Sequence, residues 1–190
     1  MSRLCLMISA AAVAAACSYD PPPQPSPTPS AASSTGVASP DRPTNFIAHL
    51  TGDSEIPANA SLAQGQVIFQ LNPAGTELSY RLISSNIDNV VASHIHLGPV
   101  DDNGPVVQFL FGSVPPGGGA QNGVLATGTI DGSALVGPLA GMGLGALIDA
   151  MVAGETYVNV HTNDGVDPTN TGPGDIPGGE IRGQVRVLGK

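Results

Sequence analysis

The sequence predicts an all-β domain, a Greek-key-like antiparallel β-sandwich of about eight strands with one short helix, preceded by a disordered segment. Three observations support this prediction. Glycine and proline account for 25 and 18 of the 190 residues, and both are unfavourable inside helices. Apolar residues recur in short alternating runs that end at Gly, Asn, Asp or Pro. A single segment has apolar residues at helical spacing.

The first 16 residues have the layout of a secretory signal peptide. Arg3 precedes an apolar run, residues 4–16, which ends in small residues and is shorter than the ~20 residues of a membrane span. Residues 14–17 resemble a bacterial lipobox, in which the cysteine becomes the first mature residue and carries acyl chains such as palmitate. We therefore expect lipidation of Cys17 and retention in the cell envelope. Ser18, by the same resemblance, favours the outer membrane. The alternative is an ordinary signal peptide in which Cys17 is incidental.

A proline- and serine-rich spacer is expected over residues 17–44. Its low hydrophobicity cannot bury enough apolar surface to offset the loss of chain entropy, so we expect it to be disordered and extended. The folded domain is predicted over residues 45–188. Cys5 and Cys17 are the only cysteines of the chain, so this domain has no disulfide and no cysteine-ligated metal.

The charge balance excludes one class of partner. Six basic and 15 acidic residues give a net charge of −9, which leaves no surface suited to neutralising phosphates. We therefore expect no nucleic acid. The partners left are the membrane, through the N-terminal lipid, and a protein or small ligand that the sequence does not identify.

Eight strands and one helix are predicted in the domain. The last strand is the clearest, because Glu180, Arg182 and Gln184 alternate with apolar or small residues. The helix is predicted over residues 144–153, as a cap on one end of the sandwich. The predicted strands are residues 46–51, 66–71, 77–84, 90–97, 106–111, 124–130, 157–162 and 180–187.

Three of the four histidines form a candidate metal site. His94 and His96 lie two residues apart in a predicted strand, so their side chains leave the same face, with Cα atoms about 6–7 Å apart. His161 would supply a third imidazole if its strand lies alongside, and three nitrogen ligands suit copper or zinc. Glu180 is expected as a fourth ligand, or as the acceptor that fixes the tautomer of an imidazole.

Polar residues are expected behind these ligands. Tyr157 and Asn159 share a face of their strand with the third histidine, and Arg182 lies beside Glu180 on the last strand. Arg182 is expected to be partly buried in an ion pair that orients the site. The alternative is a polar strand face held by hydrogen bonds without a metal. His49, the remaining histidine, should face solvent.

Several separate motifs follow one another along most of the chain: FIAHLTG at 46–52 with EIP at 55–57, GQVIF at 65–69, LSYRL at 78–82, HIHLG at 94–98, NGPVV at 103–107, YVNVHT at 157–162 and GGEIRGQ at 178–184. Together they resemble the CHRD (chordin) domain. The resemblance implies a β-sandwich-like domain of the kind found in chordin, an extracellular binder of growth factors, and in many secreted bacterial proteins. A single unit behind a lipoprotein signal departs from the multidomain animal protein, so the growth-factor partner does not carry over.

The functional prediction is a non-enzymatic, lipid-anchored binding module that holds copper or zinc at the three histidines. The chain contains no Gly-x-Ser-x-Gly elbow, P-loop or nucleotide-binding fingerprint. The His-x-His segment resembles the metal-binding strand of copper–zinc superoxide dismutases, although the domain lacks the disulfide of those enzymes. Two alternatives stay open: a dismutase-like or other redox metalloprotein, and a structural envelope or adhesion protein without metal.

Overall fold

A computed structural model of the protein describes residues 42–189. The predicted signal peptide, Cys17 and all but the last residues of the predicted spacer lie outside this range. No helix within residues 42–189 is long and apolar enough to cross a bilayer.

The described chain is built from β-strands with one short α-helix, as the sequence predicts. Helix α1 covers Leu144–Ala153, and two 3₁₀ turns cover Gly52–Ser54 and Gly137–Leu139. The predicted last strand is interrupted at Val185, so it forms two strands instead of one. The strands are β1 (Asn45–Thr51), β2 (Gln64–Leu71), β3 (Leu78–Asp88), β4 (Val90–Leu97), β5 (Val106–Gly112), β6 (Ala120–Ile130), β7 (Thr156–Thr162), β8 (Ile181–Gln184) and β9 (Arg186–Val187).

All nine strands belong to one antiparallel sheet that curls into a nearly closed barrel. The order is β5-β4-β7-β8-β1-β2-β3-β6, with β9 paired to β1. The two end strands, β5 and β6, contact each other. Next to them, the Tyr80 hydroxyl of β3 donates a hydrogen bond to the Leu110 carbonyl of β5 at 2.7 Å. The strands that carry the predicted site residues, β4, β7 and β8, are therefore consecutive in the sheet although they are far apart in the sequence.

The core fills the inside of the curved sheet. In β1 the alternating residues Phe46, Ala48 and Leu50 are fully buried, while His49 is exposed, as predicted. Helix α1 adds apolar side chains at helical spacing, of which Leu147 and Met151 are fully buried. Burying each such side chain contributes roughly 1.5–3 kcal/mol before the entropy of ordering the chain is subtracted.

The register of β7 against its two neighbours places the site residues on one face. Asn159 pairs with His94 on one side and with Arg182 on the other, and Tyr157 pairs with His96. Directly paired residues of an antiparallel sheet project to the same side. The alternation along each strand thus becomes a continuous polar surface across three strands.

Candidate functional site: a three-histidine cluster

Three imidazoles from two adjacent strands converge. His94 and His96 project from β4 and His161 from β7, and one nitrogen of each ring lies within 4.8 Å of the others. Nδ1 of His94 and Nε2 of His161 are 3.1 Å apart, within hydrogen-bond distance. His96 is buried, whereas His94 and His161 are half-buried. The two distant segments therefore lie side by side, as the metal hypothesis requires.

Backbone carbonyls orient two of the three rings. Nδ1 of His96 lies 2.8 Å from the Gly104 carbonyl, and Nδ1 of His161 lies 2.8 Å from the Pro177 carbonyl. A carbonyl can only accept, so each Nδ1 carries the proton and each Nε2 presents a lone pair. Nε2 of His96 is buried and has no hydrogen-bond partner. Histidine ligands of metals are commonly held in this way, through a hydrogen bond from the second ring nitrogen.

The surroundings keep all three rings neutral. Burial lowers the pKa of His94 to about 4, and the neighbouring His161 and His96 lower it further. Burial also lowers the pKa of His96 and of His161. The Gly104 carbonyl and the Asn159 side chain partly oppose this effect at His96, and the Pro177 carbonyl partly opposes it at His161. Because a metal binds the unprotonated imidazole, at neutral pH the cluster needs to lose no proton from a positively charged ring before binding.

Two stacked side chains support His96 from behind. The Tyr157 ring lies parallel to the His96 ring, with centroids 4.7 Å apart and an interplanar angle of 11°. The Arg182 guanidinium carbon lies 3.5 Å from the centroid of the Tyr157 ring. Both supporting side chains are almost fully buried. A cation over an aromatic face is stabilising when both are shielded from water, so the stack fixes the plane of His96.

The guanidinium of Arg182 also holds the loop between β4 and β5. Its two terminal nitrogens donate 2.8 Å hydrogen bonds to Oδ1 of Asn103 and to the carbonyls of Pro99 and Asp102. The same loop contains Gly104, whose carbonyl accepts from His96. Arg182 is thus buried as expected, but its partners are loop oxygens. The predicted ion pair with Glu180 does not form.

Glu180 lies outside the cluster, contrary to the expectation of a fourth ligand. One carboxylate oxygen accepts a 2.6 Å hydrogen bond from the Ser61 hydroxyl. The other accepts from the Thr162 hydroxyl at 2.6 Å and from the backbone N–H of Gly174 at 2.8 Å. None of these three hydrogen bonds involves an imidazole. Glu180 is fully buried, and its carboxylate ties together three chain segments, which is a structural role.

Glu55 is the acidic residue that sequence reasoning missed. It follows the 3₁₀ turn after β1, is 7% exposed, and has one carboxyl oxygen without a partner. That oxygen and the side-chain nitrogen of Asn159 both face the space that a side chain at Gly179 would occupy. Burial raises the pKa of Glu55 to about 7, against the opposing charge of Arg182. Glu55 is part of the EIP motif at 55–57, but no local sequence pattern indicates that its side chain is buried.

The donor set fits a borderline transition metal. Zinc–imidazole bonds of 2.0–2.1 Å in a tetrahedral site place ligand nitrogens about 3.3 Å apart. The 3.1 Å separation of the His94 and His161 nitrogens is close to this value, and the third nitrogen lies within 4.8 Å of both. Neutral imidazole ligands suit zinc and copper, whereas calcium and magnesium prefer oxygen.

One comparison with known proteins identifies the family. The model of the CHRD domain matches residues 46–185, which include all three histidines and their supporting residues. No curated protein and no solved structure matches the chain significantly. CHRD is not a known enzyme family, and the match supports a domain of the binding-module type. The chain therefore belongs to the CHRD domain family.

Proposed function

We propose that the protein is a lipid-anchored extracytoplasmic binding module that holds a copper or zinc ion through His94, His96 and His161. The observation that carries the proposal is the buried Nε2 atom of His96, which has no hydrogen-bond partner and lies in a group with two other imidazole nitrogens. A buried acceptor without a partner is costly, and a bound cation would remove that cost.

Preorganisation supports the same conclusion. Carbonyls orient two rings, the Tyr157–Arg182 stack fixes the plane of one, and all three pKa values are lowered. A purely structural polar face would not need three imidazoles to converge with the buried Nε2 of His96 left without a hydrogen-bond partner. The arrangement supports ligation more than a set of hydrogen bonds within a strand face.

The anchor is proposed from the sequence. Residues 4–16 end at Cys17 in a pattern that resembles a lipobox. Several acyl chains on this cysteine would hold the protein stably on an envelope membrane, because each buried methylene contributes ~0.8 kcal/mol. The proline-rich residues that follow would separate the domain from the membrane surface.

Metal titration of the purified protein carrying Cys17→Ser tests the site. We expect one Zn²⁺ or Cu²⁺ per chain at micromolar concentration by isothermal titration calorimetry, and shifts of three histidine signals by NMR. His96→Ala should abolish this binding. His49→Ala is the matched control, because His49 is exposed on β1 outside the cluster, and it should bind like the parent protein. Absence of one-to-one binding, or equal losses in both variants, would contradict the metal proposal.

Lipidation is tested separately. Cells producing the full chain should incorporate labelled palmitate into it, and the protein should fractionate with envelope membranes. Cys17→Ser should remove the label and release the protein from the membrane fraction, whereas Cys5→Ser, within the apolar run, should still be labelled. An unlabelled protein that is fully soluble after export would refute the anchor.

A further inference from the structure

We infer that the metal in the three-histidine cluster keeps one coordination position open to solvent, and that this position takes a small anion with a single oxygen or nitrogen donor. The inference rests on the proposed function, because it concerns the ion held by His94, His96 and His161. It adds a class of ligand that the three side chains alone do not specify.

The number of protein ligands leaves a vacant position. Among residues 42–189, the group around the candidate centre contains three histidines and no carboxylate or thiol. The nearest expected donor, Glu180, has both carboxylate oxygens committed to the Ser61 and Thr162 hydroxyls and the Gly174 amide. A zinc ion in protein is almost always at least four-coordinate, and sites with three protein ligands complete the set with solvent or an added ligand.

The vacant position faces outward. His96 is 8% exposed and lies deepest, with Tyr157 and Arg182 stacked behind it. His94 and His161 are half-buried and lie toward the surface. Phe109 packs edge-on against His94, with centroids 4.9 Å apart, and is itself 49% exposed, so it borders the outer side. Protein therefore closes the inner side of the centre, and solvent reaches the outer side.

The charges around the centre favour an anion over a neutral ligand. An imidazole binds a metal in its uncharged form, so the three histidines leave the full charge of a divalent ion uncompensated. The Arg182 guanidinium adds a buried positive charge behind Tyr157 and His96. Of the buried carboxyls, Glu55 has Arg182 as its charged neighbour, and Glu180 is engaged by three hydrogen bonds. An anion on the outer side lowers this excess of positive charge, whereas a neutral donor does not.

Small anions added to the Cu²⁺-loaded protein carrying Cys17→Ser test the inference. Azide should produce an azide-to-copper charge-transfer band that saturates at one azide per copper. Acetate and acetamide form a matched pair of nearly equal size, one charged and one neutral. Acetate should compete with azide and displace the band, and acetamide at the same concentration should leave it unchanged. Metal-free protein should give no band.

The outcomes separate this inference from the proposed function. If one copper binds per chain but azide changes neither the absorption nor the EPR spectrum, the position is closed and the inference is wrong, while the metal site stands. Equal displacement by acetate and acetamide would refute the preference for anions. The band should persist in His49→Ala, and its loss there would assign it to surface copper and overturn the inference. Failure to bind copper would refute the proposed function itself.

Discussion

Glu180→Gln replaces a fully buried carboxylate by an amide of nearly equal size, and it separates a structural role from a metal-binding role. In the native protein the carboxylate accepts three hydrogen bonds of 2.6–2.8 Å, from Ser61, Thr162 and Gly174. Hydrogen bonds to a charged group contribute about 1.5–3 kcal/mol each, against about 1 kcal/mol for neutral ones. The amide weakens all three bonds and directs an N–H₂ group toward one of the donors.

The expected loss of unfolding free energy is about 3 kcal/mol, from the weakened bonds and one mismatched donor. For a domain of this size, that loss lowers Tm by roughly 6–12 °C. The Glu180 carboxylate makes no hydrogen bond to an imidazole. At a temperature where the variant is folded, its zinc affinity should therefore change less than about threefold, or ~0.6 kcal/mol.

Urea and thermal unfolding followed by circular dichroism measure the first effect, and calorimetric zinc titration measures the second. Glu77→Gln is the matched control, since Glu77 is exposed, and it should change stability by less than about 0.5 kcal/mol. An unchanged Tm for Glu180→Gln would refute the structural assignment. An unchanged Tm together with more than tenfold weaker zinc binding would restore Glu180 as a ligand.

Three further predictions follow from the same contacts. In metal-free protein, the pKa of His94 is about 4, against 6.5 in the unfolded chain, so its contribution to stability falls as pH drops from 6.5 to 4. The pKa of Glu55 is about 7, against 4.5 in the unfolded chain, so its contribution to stability rises as pH drops from 7 to 4.5. Glu55→Gln should therefore lose stability on acidification from pH 7 to 5 more steeply than the parent in urea titrations, and parallel curves would contradict this. Arg182→Lys should lower Tm and weaken zinc binding about 10-fold or more, because lysine cannot hydrogen-bond to all three loop oxygens. A lower Tm with unchanged zinc affinity would mean that Arg182 does not position the site. Gly183→Ala should prevent folding or cost several kcal/mol, because its Cβ would overlap the backbone carbonyl of His49 on the neighbouring strand. Gly178→Ala, with open space around it, should fold normally by circular dichroism.

Local patterns were sufficient for the strands and the helix. Polar and apolar residues alternate with a period of two in 66–71 and 180–187, a pattern that can be read from a few neighbouring residues, and the structure has strands at both places. The break at Val185 was not predictable, because it arises where β8 leaves β1 and the last two residues of the sheet pair again as β9. The same period-two argument put His94 and His96 on one face.

The errors at the site concern contacts between distant segments. Glu180 and Arg182 alternate correctly on their strand, yet the carboxylate bonds to Ser61 and the guanidinium to the loop at Asn103. Which loop folds over which strand depends on the whole sheet order, and spacing within one strand carries no information about it. Glu55 was missed for the same reason, since its burial depends on segments more than a hundred residues away.

By itself, the sequence determined the β class, the single helix, the family motifs and the face shared by each pair of alternating residues, because these follow from local periodicity and residue chemistry. Only the tertiary structure decided that β4 lies beside β7, that three imidazoles meet there, and that no carboxylate of residues 42–189 joins the group. The physical reason is that side-chain direction is a property of a few residues, whereas strand order and the burial of charge are properties of the complete sheet.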